Sequence, residues 1–277
     1  MTGLAVAGRI DADDLVIACE IVGDGSPRPA GLGEPVDQHD GSFIKLVNVG
    51  RDVVLHHIRG YLPARLVALL MNLHISPRPI WLTRHGESLY NQESRIGGDP
   101  DLSPRGERYA LALGDFYRKH VDAADQARVW TSALRRSMQT ARHIETTPLS
   151  WRALDEIDAG IFDGMTYEQI RETRPEEFEA RQSDKFRYRY PRGESYEDVI
   201  QRLEPAILEL ERQRAPVLVV AHRAVVRALY AYFMDKPPAE CTRMDIPLHT
   251  VIELTPNAYG CEERRFQLPV DEASGSP

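Results

Sequence analysis

Short apolar runs alternate with amphipathic segments from about residue 42 almost to the end of the chain, the pattern of an α/β domain. Residues 80–83, 128–131 and 217–221 predict strands, and the last run is Val, Leu and Ala throughout, as in a strand covered on both faces. Helices are expected between them. Ser103 followed by Pro104 is an N-cap with proline at the first helical position, and Ala110, Leu113 and Tyr117 then recur on one face. Ser195-Tyr-Glu-Asp198 has the form of a capping box that opens a helix bearing Val199, Leu203 and Ile207, in which Pro205 predicts a kink. Residues 251–254 and 265–268 predict late strands. The expected architecture is a three-layer α/β/α domain around a mostly parallel sheet.

Residues 1–41 depart from this pattern. Gly25, Pro27, Pro29, Gly31, Gly33 and Pro35 interrupt any regular element, so a flexible leader is expected, although its apolar run 15–22 suits a short strand or a short helix. A connecting segment over 42–79, a main domain over 80–268 and a frayed tail over 269–277 complete the division. Across the 277 residues, 42% hydrophobic and 27% charged side chains exclude a disordered chain. A net charge of −8 argues against nucleic acid or an anionic membrane as the partner. The three cysteines contain no CxxC pair, which suggests neither a disulfide framework nor a thiolate metal site. No apolar run approaches the length of a membrane span and the start has no secretory pattern, so a cytoplasmic protein is expected.

Chemistry concentrates at Leu82-Thr83-Arg84-His85-Gly86-Glu87-Ser88. A His at the carboxyl end of a strand, with Arg before it and Gly after, lies where open α/β sheets hold their ligands. An imidazole can attack phosphorus while the adjacent guanidinium holds two phosphoryl oxygens, and Gly86 is expected to let a substrate approach the backbone. A single His among nine is weak evidence. A second one, His222, also ends a predicted strand and precedes a helix, so the two are expected to face each other across one crevice.

This arrangement resembles the histidine phosphatase, or phosphoglycerate mutase-like, superfamily, in which an RHG motif supplies a phosphohistidine nucleophile. The resemblance extends over about residues 42–268. Arg84-His-Gly-Glu-Ser88, Arg95-Ile-Gly-Gly-Asp99, Val129-Trp-Thr-Ser132, Glu156-Ile-Asp-Ala-Gly160, Met165-Thr-Tyr167, Tyr188-Arg-Tyr-Pro191, Gly193-Glu-Ser-Tyr-Glu-Asp198 and Pro247-Leu-His-Thr-Val251 look like the fructose-2,6-bisphosphatase half of the bifunctional 6-phosphofructo-2-kinase/fructose-2,6-bisphosphatase family. The resemblance implies that His85 is the nucleophile and that Arg84, Asn91, Arg136 and His222 surround the phosphoryl leaving sugar carbon 2. It places Gly97 in a loop that lends a backbone contact. It makes Glu156 the acid that protonates the leaving sugar oxygen and later activates water, and it assigns Tyr167, Arg181, Lys185, Tyr196 and Arg227 to a 6-phosphate pocket. No metal or cofactor is implied.

Elementary chemistry agrees with that division. A transferring phosphoryl group needs positioning and charge stabilisation, which two Arg and two His supply. A sugar alkoxide leaves poorly, so a carboxylic acid near the bridging oxygen is useful, and the neighbouring carboxylates of Asp155 and Asp158 would favour a proton held on Glu156. Residues 181–192 carry five cations against Asp184 alone, interleaved with Phe186, Tyr188 and Tyr190. Single-stranded nucleic acid would also suit such a stretch, but the acidic chain favours forked donors for a sugar phosphate. One departure stands out: the family pattern has Gln directly after the second His, where this chain has Arg223. A guanidinium there either adds a fork to the phosphate or repels Arg227 one helical turn away.

No GxxxxGKS or GxxxxGKT occurs, so no phosphate-cradling kinase loop is expected; residues 1–41 are then a kinase remnant or an unrelated leader. A separate kinase chain and a second copy of this chain both remain open as partners. The expected substrate is a sugar bisphosphate. Two rivals stay open: a broader sugar-phosphate phosphatase or mutase, and a weakly active sugar-phosphate-binding regulatory domain. The charge is unevenly divided. Residues 1–40 hold eight acids and two bases, leaving 34 acids against 32 bases in the remainder.

Overall fold

The computed structural model describes residues 7–9, 16–20, 43–47, 52–61, 64, 66–67, 77–121, 127–257 and 260–270. Two compact units divide between Ile75 and Ser76. In the first, β1 (Ala7–Arg9), β2 (Val16–Glu20), β3 (Phe43–Val47) and β4 (Asp52–His56) form a sheet in that order. β2 and β3 run parallel and the outer pairs antiparallel. The run 15–22 therefore contains a strand, whereas the Gly/Pro-rich stretch that follows it lies outside the described residues.

The second unit is built on six strands: β5 (Ile80–Arg84), β6 (Arg128–Thr131), β7 (Leu149–Ser150), β8 (Val217–Ala221), β9 (Thr250–Asn257) and β10 (Gly260–Gln267), in the order β10-β9-β5-β8-β6-β7. β5, β8, β6 and β7 are mutually parallel, while β9 joins β5 antiparallel and continues into an antiparallel hairpin with β10. The late strands exceed the predicted 251–254 and 265–268 because the hairpin pairs all eight residues of each arm. Exposed charged positions on β10 hide that strand from a search for apolar runs.

Helices cover both faces, and strand alternation shows which residue meets which layer. From β5 and β8, Ile80, Leu82, Val217, Val219 and Ala221 pack with Val199, Leu203 and Leu210 of α6 (Tyr196–Arg212) and Val225, Val226 and Leu229 of α7 (Arg223–Phe233). On the other face Trp81, Leu218 and Val220 meet Tyr109, Leu113 and Phe116 of α2 (Pro104–His120) and Ala141 of α3 (Arg135–Ala141). The three-layer α/β/α arrangement follows, with β5 and β8 buried at every residue. Each fully buried Val or Leu contributes about 1.5–3 kcal/mol.

The predicted caps are present. The Ser103 hydroxyl accepts from Gly106 N at 3.1 Å, and Ser195 and Asp198 form the reciprocal box. α6 runs without interruption through Pro205. Val270 is buried, and its carbonyl accepts from Arg108 Nε at 2.6 Å, so the tail is docked at least that far.

Candidate active site

Register brings the two histidines together. Arg84 pairs with Ala221 across the parallel strands, so the chain leaves β5 and β8 at the same level, and the next residues are His85 and His222. Their ring centroids lie 5.0 Å apart. β6 ends beside them, and the Ser132 hydroxyl that follows it is 2.7 Å from His222 Nε2, with Ser137 Oγ of α3 at 3.2 Å.

His85 Nδ1 is 2.6 Å from Gly86 O, and a carbonyl only accepts, so Nδ1 carries the proton and Nε2 the lone pair. Arg136 Nε donates to that lone pair at 3.2 Å. Burial, then Arg136 and Arg84, holds His85 well below the ordinary histidine value, which keeps it neutral. Burial and Arg136 do the same for His222. Arg84 is pushed down to about 10 by burial and next by Arg223. Arg84 Nε and His222 Nδ1 are buried without a hydrogen-bond partner among the described residues, as suits groups that serve a ligand.

The remaining predicted residues gather around one cavity of about 700 Å³, lined among others by Asn91, Gly97, Glu156 and Arg223. Asn91 lies in α1 (Leu89–Gln92), its Oδ1 accepting from Ser88 N at 3.0 Å. Gly97 has φ +71°, and a Cβ there would sit 1.8 Å from Asp163 Oδ1, which accepts from Gly98 N at 2.6 Å. This close approach requires glycine. Glu156 Oε1 accepts from Ala224 N, at 3.3 Å, in the first turn of α7. The acidic trio does not act as a cluster: Asp155 turns to Ala133 N at 2.7 Å and Asp158 to Gly160 N at 2.8 Å.

At the far end, Tyr167 begins α4 (Tyr167–Thr173) and Arg181 lies near the end of α5 (Pro175–Ser183). The Arg181 guanidinium lies 4.4 Å from the Tyr167 ring centroid, and its Nε donates to Tyr190 Oη at 2.8 Å. Lys185 Nζ stands 6.0 Å from the Tyr196 ring centroid. Burial, then Arg227, Arg181 and Arg223, pushes the Lys185 ammonium down to about 8.

Two predicted residues stand behind the lining. His222 touches Ser132 and Ser137, and Arg227 donates to Met244 O at 2.7 Å and Tyr196 Oη at 3.3 Å. Arg223 lines the cavity, whereas Arg227 stands behind it with its Nε engaged by Met244 O. Gly86 also has a structural part. A Cβ there would lie 2.6 Å from Gly106 O, so the glycine permits close contact with α2.

The sequence pattern missed Ser132 and Ser137, which hold His222, and Arg202, whose Nη2 donates to Asp155 O at 2.6 Å and Glu156 O at 3.2 Å and so fixes the backbone carrying Glu156. Arg202 sits mid-helix with nothing local to mark it. Ser132 lies within a quoted motif but reads as a turn residue.

A neutral strand-end imidazole, its lone pair facing a buried guanidinium at the end of a parallel sheet, is chemically suited to phosphoryl transfer. Residues 80–268 match the histidine phosphatase superfamily, branch 1, and the chain belongs to that family. It is 52% identical, over 85% of its length, to 6-phosphofructo-2-kinase/fructose-2,6-bisphosphatase of Arabidopsis thaliana, and 49% identical, over 87%, to fructose-2,6-bisphosphatase of Saccharomyces cerevisiae. The chain spans 32% of the first of these relatives and 53% of the second. Among solved structures, a mycobacterial glucosyl-3-phosphoglycerate phosphatase in complex with VO3 matches at 27% identity with a TM-score of 0.58, covering 71% of this chain and all of that one. A putative alpha-ribazole-5'-P phosphatase from Escherichia coli shares the fold at 23% identity and a TM-score of 0.61, covering 72% of this chain and 99% of that one. No helix among the described residues is long and apolar enough to cross a membrane.

Proposed function

We propose that the chain hydrolyses fructose 2,6-bisphosphate to fructose 6-phosphate and inorganic phosphate, acting in the cytoplasm. One observation carries this reading. One cavity is lined by two cationic groups, Arg84 and Arg136 around His85, and Arg181 over Tyr167 with Lys185 near Tyr196, as a substrate with two phosphates requires. The names of the relatives supply the sugar.

In this reading His85 Nε2 attacks the phosphorus of the 2-phosphate, the bond to the sugar oxygen breaks, and Glu156 gives that oxygen a proton. Arg136 moves its donor from Nε2 to the phosphoryl oxygens, with Arg84 and His222 Nδ1 holding the others. Glu156, now a carboxylate, takes a proton from water, whose oxygen displaces His85 from phosphorus and releases phosphate. Arg181, Lys185, Tyr196 and Arg223 hold the 6-phosphate, and Tyr167 acts through Arg181. The counterpart suggested by the bifunctional relatives is a kinase that makes the same bisphosphate, on a partner chain.

Incubation with fructose 2,6-bisphosphate labelled on the 2-phosphate tests the proposal. Acid-labile phosphoprotein and free phosphate are expected from the full chain, and neither from His85→Ala. Equal or faster turnover of a panel of sugar monophosphates would overturn the substrate assignment.

A further inference from the structure

Four consecutive backbone N–H groups of the turn after β5 are each held by a different element. His85 N donates to Ala221 O at 2.9 Å, Gly86 N to Thr140 Oγ1 at 2.9 Å, Glu87 N to His249 Nε2 at 3.2 Å and Ser88 N to Asn91 Oδ1 at 3.0 Å. The third contact links two histidines through one peptide plane. The Gly86–Glu87 peptide offers its N–H to His249 and, at its other end, its carbonyl to His85 Nδ1.

We propose that His249 is a positioning residue for the nucleophile: through this peptide it orients and polarises Gly86 O, which holds the proton of His85 on Nδ1 and leaves Nε2 free to attack. The inference deepens the proposed function and rests on His85 being the nucleophile.

The surroundings of His249 suit the task. It is 4% exposed and adopts φ +58°, a left-handed conformation that side chains other than Gly and Asn enter only when the fold imposes it. Its carbonyl accepts from Leu268 N at 2.9 Å, which anchors its backbone next to the start of β9. Its ring lies 5.0 Å from the Tyr109 ring, and the Tyr109 hydroxyl is tied to Thr83 Oγ1 at 2.5 Å, one residue before Arg84. The imidazole thus sits against Tyr109 of α2, which is itself tied to β5. A peptide whose N–H is engaged makes its own carbonyl a better acceptor, so the His249 contact strengthens the 2.6 Å bond from His85. Nε2 of His249 must itself be unprotonated to accept from Glu87, which fixes this ring as the Nδ1–H tautomer.

The test compares two variants and one measurement on the unaltered protein. His249→Asn keeps a residue that tolerates the left-handed backbone but is too short to put an acceptor at the Nε2 position; His249→Gln restores that reach. Rapid-quench measurement of phosphoprotein formation from the labelled bisphosphate should show His249→Asn slowed about tenfold, with KM within about threefold, and His249→Gln returned most of the way. Nitrogen-15 NMR of the full chain at neutral pH should show His249 protonated on Nδ1 only and His85 likewise. Equal rates for the two variants, a loss confined to KM, or a His249 ring protonated on Nε2 overturns the proposal. Phosphoprotein that persists in His85→Ala strikes the nucleophile assignment instead, so the two failures are told apart.

Discussion

Lys185 shows how crowding sets the charge of a single residue. Burial, then the charges of Arg227, Arg181 and Arg223, pushes its ammonium down from 10.5 to about 8. Below that value it is a cation able to bind a phosphate dianion; above it, a neutral amine. In the proposed function kcat/KM, which reports the free enzyme, should fall as pH rises through about 8, whereas kcat should hold to higher pH because bound phosphate restores the proton. Lys185→Met should remove this limb and lower kcat/KM by about 10–100-fold near pH 7, the scale of one charge-assisted hydrogen bond. A limb near pH 8 that survives in the Met variant would assign it to another group. His85 behaves oppositely, since burial and two guanidiniums hold it neutral well below 6.5 and its nucleophilic form should persist into mild acid.

Among the elements, β5, its following turn and α2 form the unit that aims His85. The turn and the first turn of α2 meet backbone to backbone through two glycines: a Cβ on Gly106 would fall 2.1 Å from Glu87 O, and one on Gly86 would fall 2.6 Å from Gly106 O. Gly106→Ala should cost about 1–3 kcal/mol by overpacking and, by displacing Glu87, lower kcat as well as Tm. Thermal melting and steady-state kinetics check it; a lowered Tm with unchanged kcat would mean that the turn is not what this contact holds. Local signals made much of this unit legible in the sequence. The strand was an apolar run, the helix start was Ser103-Pro104, and the strand-end His stood out. The glycine pair was not legible, because it joins positions 86 and 106 through space. α5 escaped notice for a different reason: none of its residues is buried, so no apolar period marks it. His249 sat in a quoted motif, yet its use depends on a backbone turn that brings β9 back to Glu87.

Across the whole molecule, net charge and local field have opposite signs. The chain carries −8, of which residues 1–40 hold most, while Arg84, Arg136, Arg181, Lys185 and Arg223 line one cavity. Burial first, and then neighbouring cations, lowers the values of Arg84 and Lys185, and a multiply charged anion relieves the repulsive part on entry. Low-dielectric walls focus such a field outward, whereas charges surrounded by solvent are individually screened. Ionic strength separates the two contributions. If the cavity governs encounter, raising salt from about 0.05 to 0.5 M should lower kcat/KM for the bisphosphate severalfold while leaving kcat nearly unchanged. If the overall −8 governs, the same salt should raise kcat/KM, since screening would ease the approach of an anion to an anionic protein. Arg223→Gln decides how far this added cation sets the field, because its salt dependence should be shallower than that of the unaltered chain.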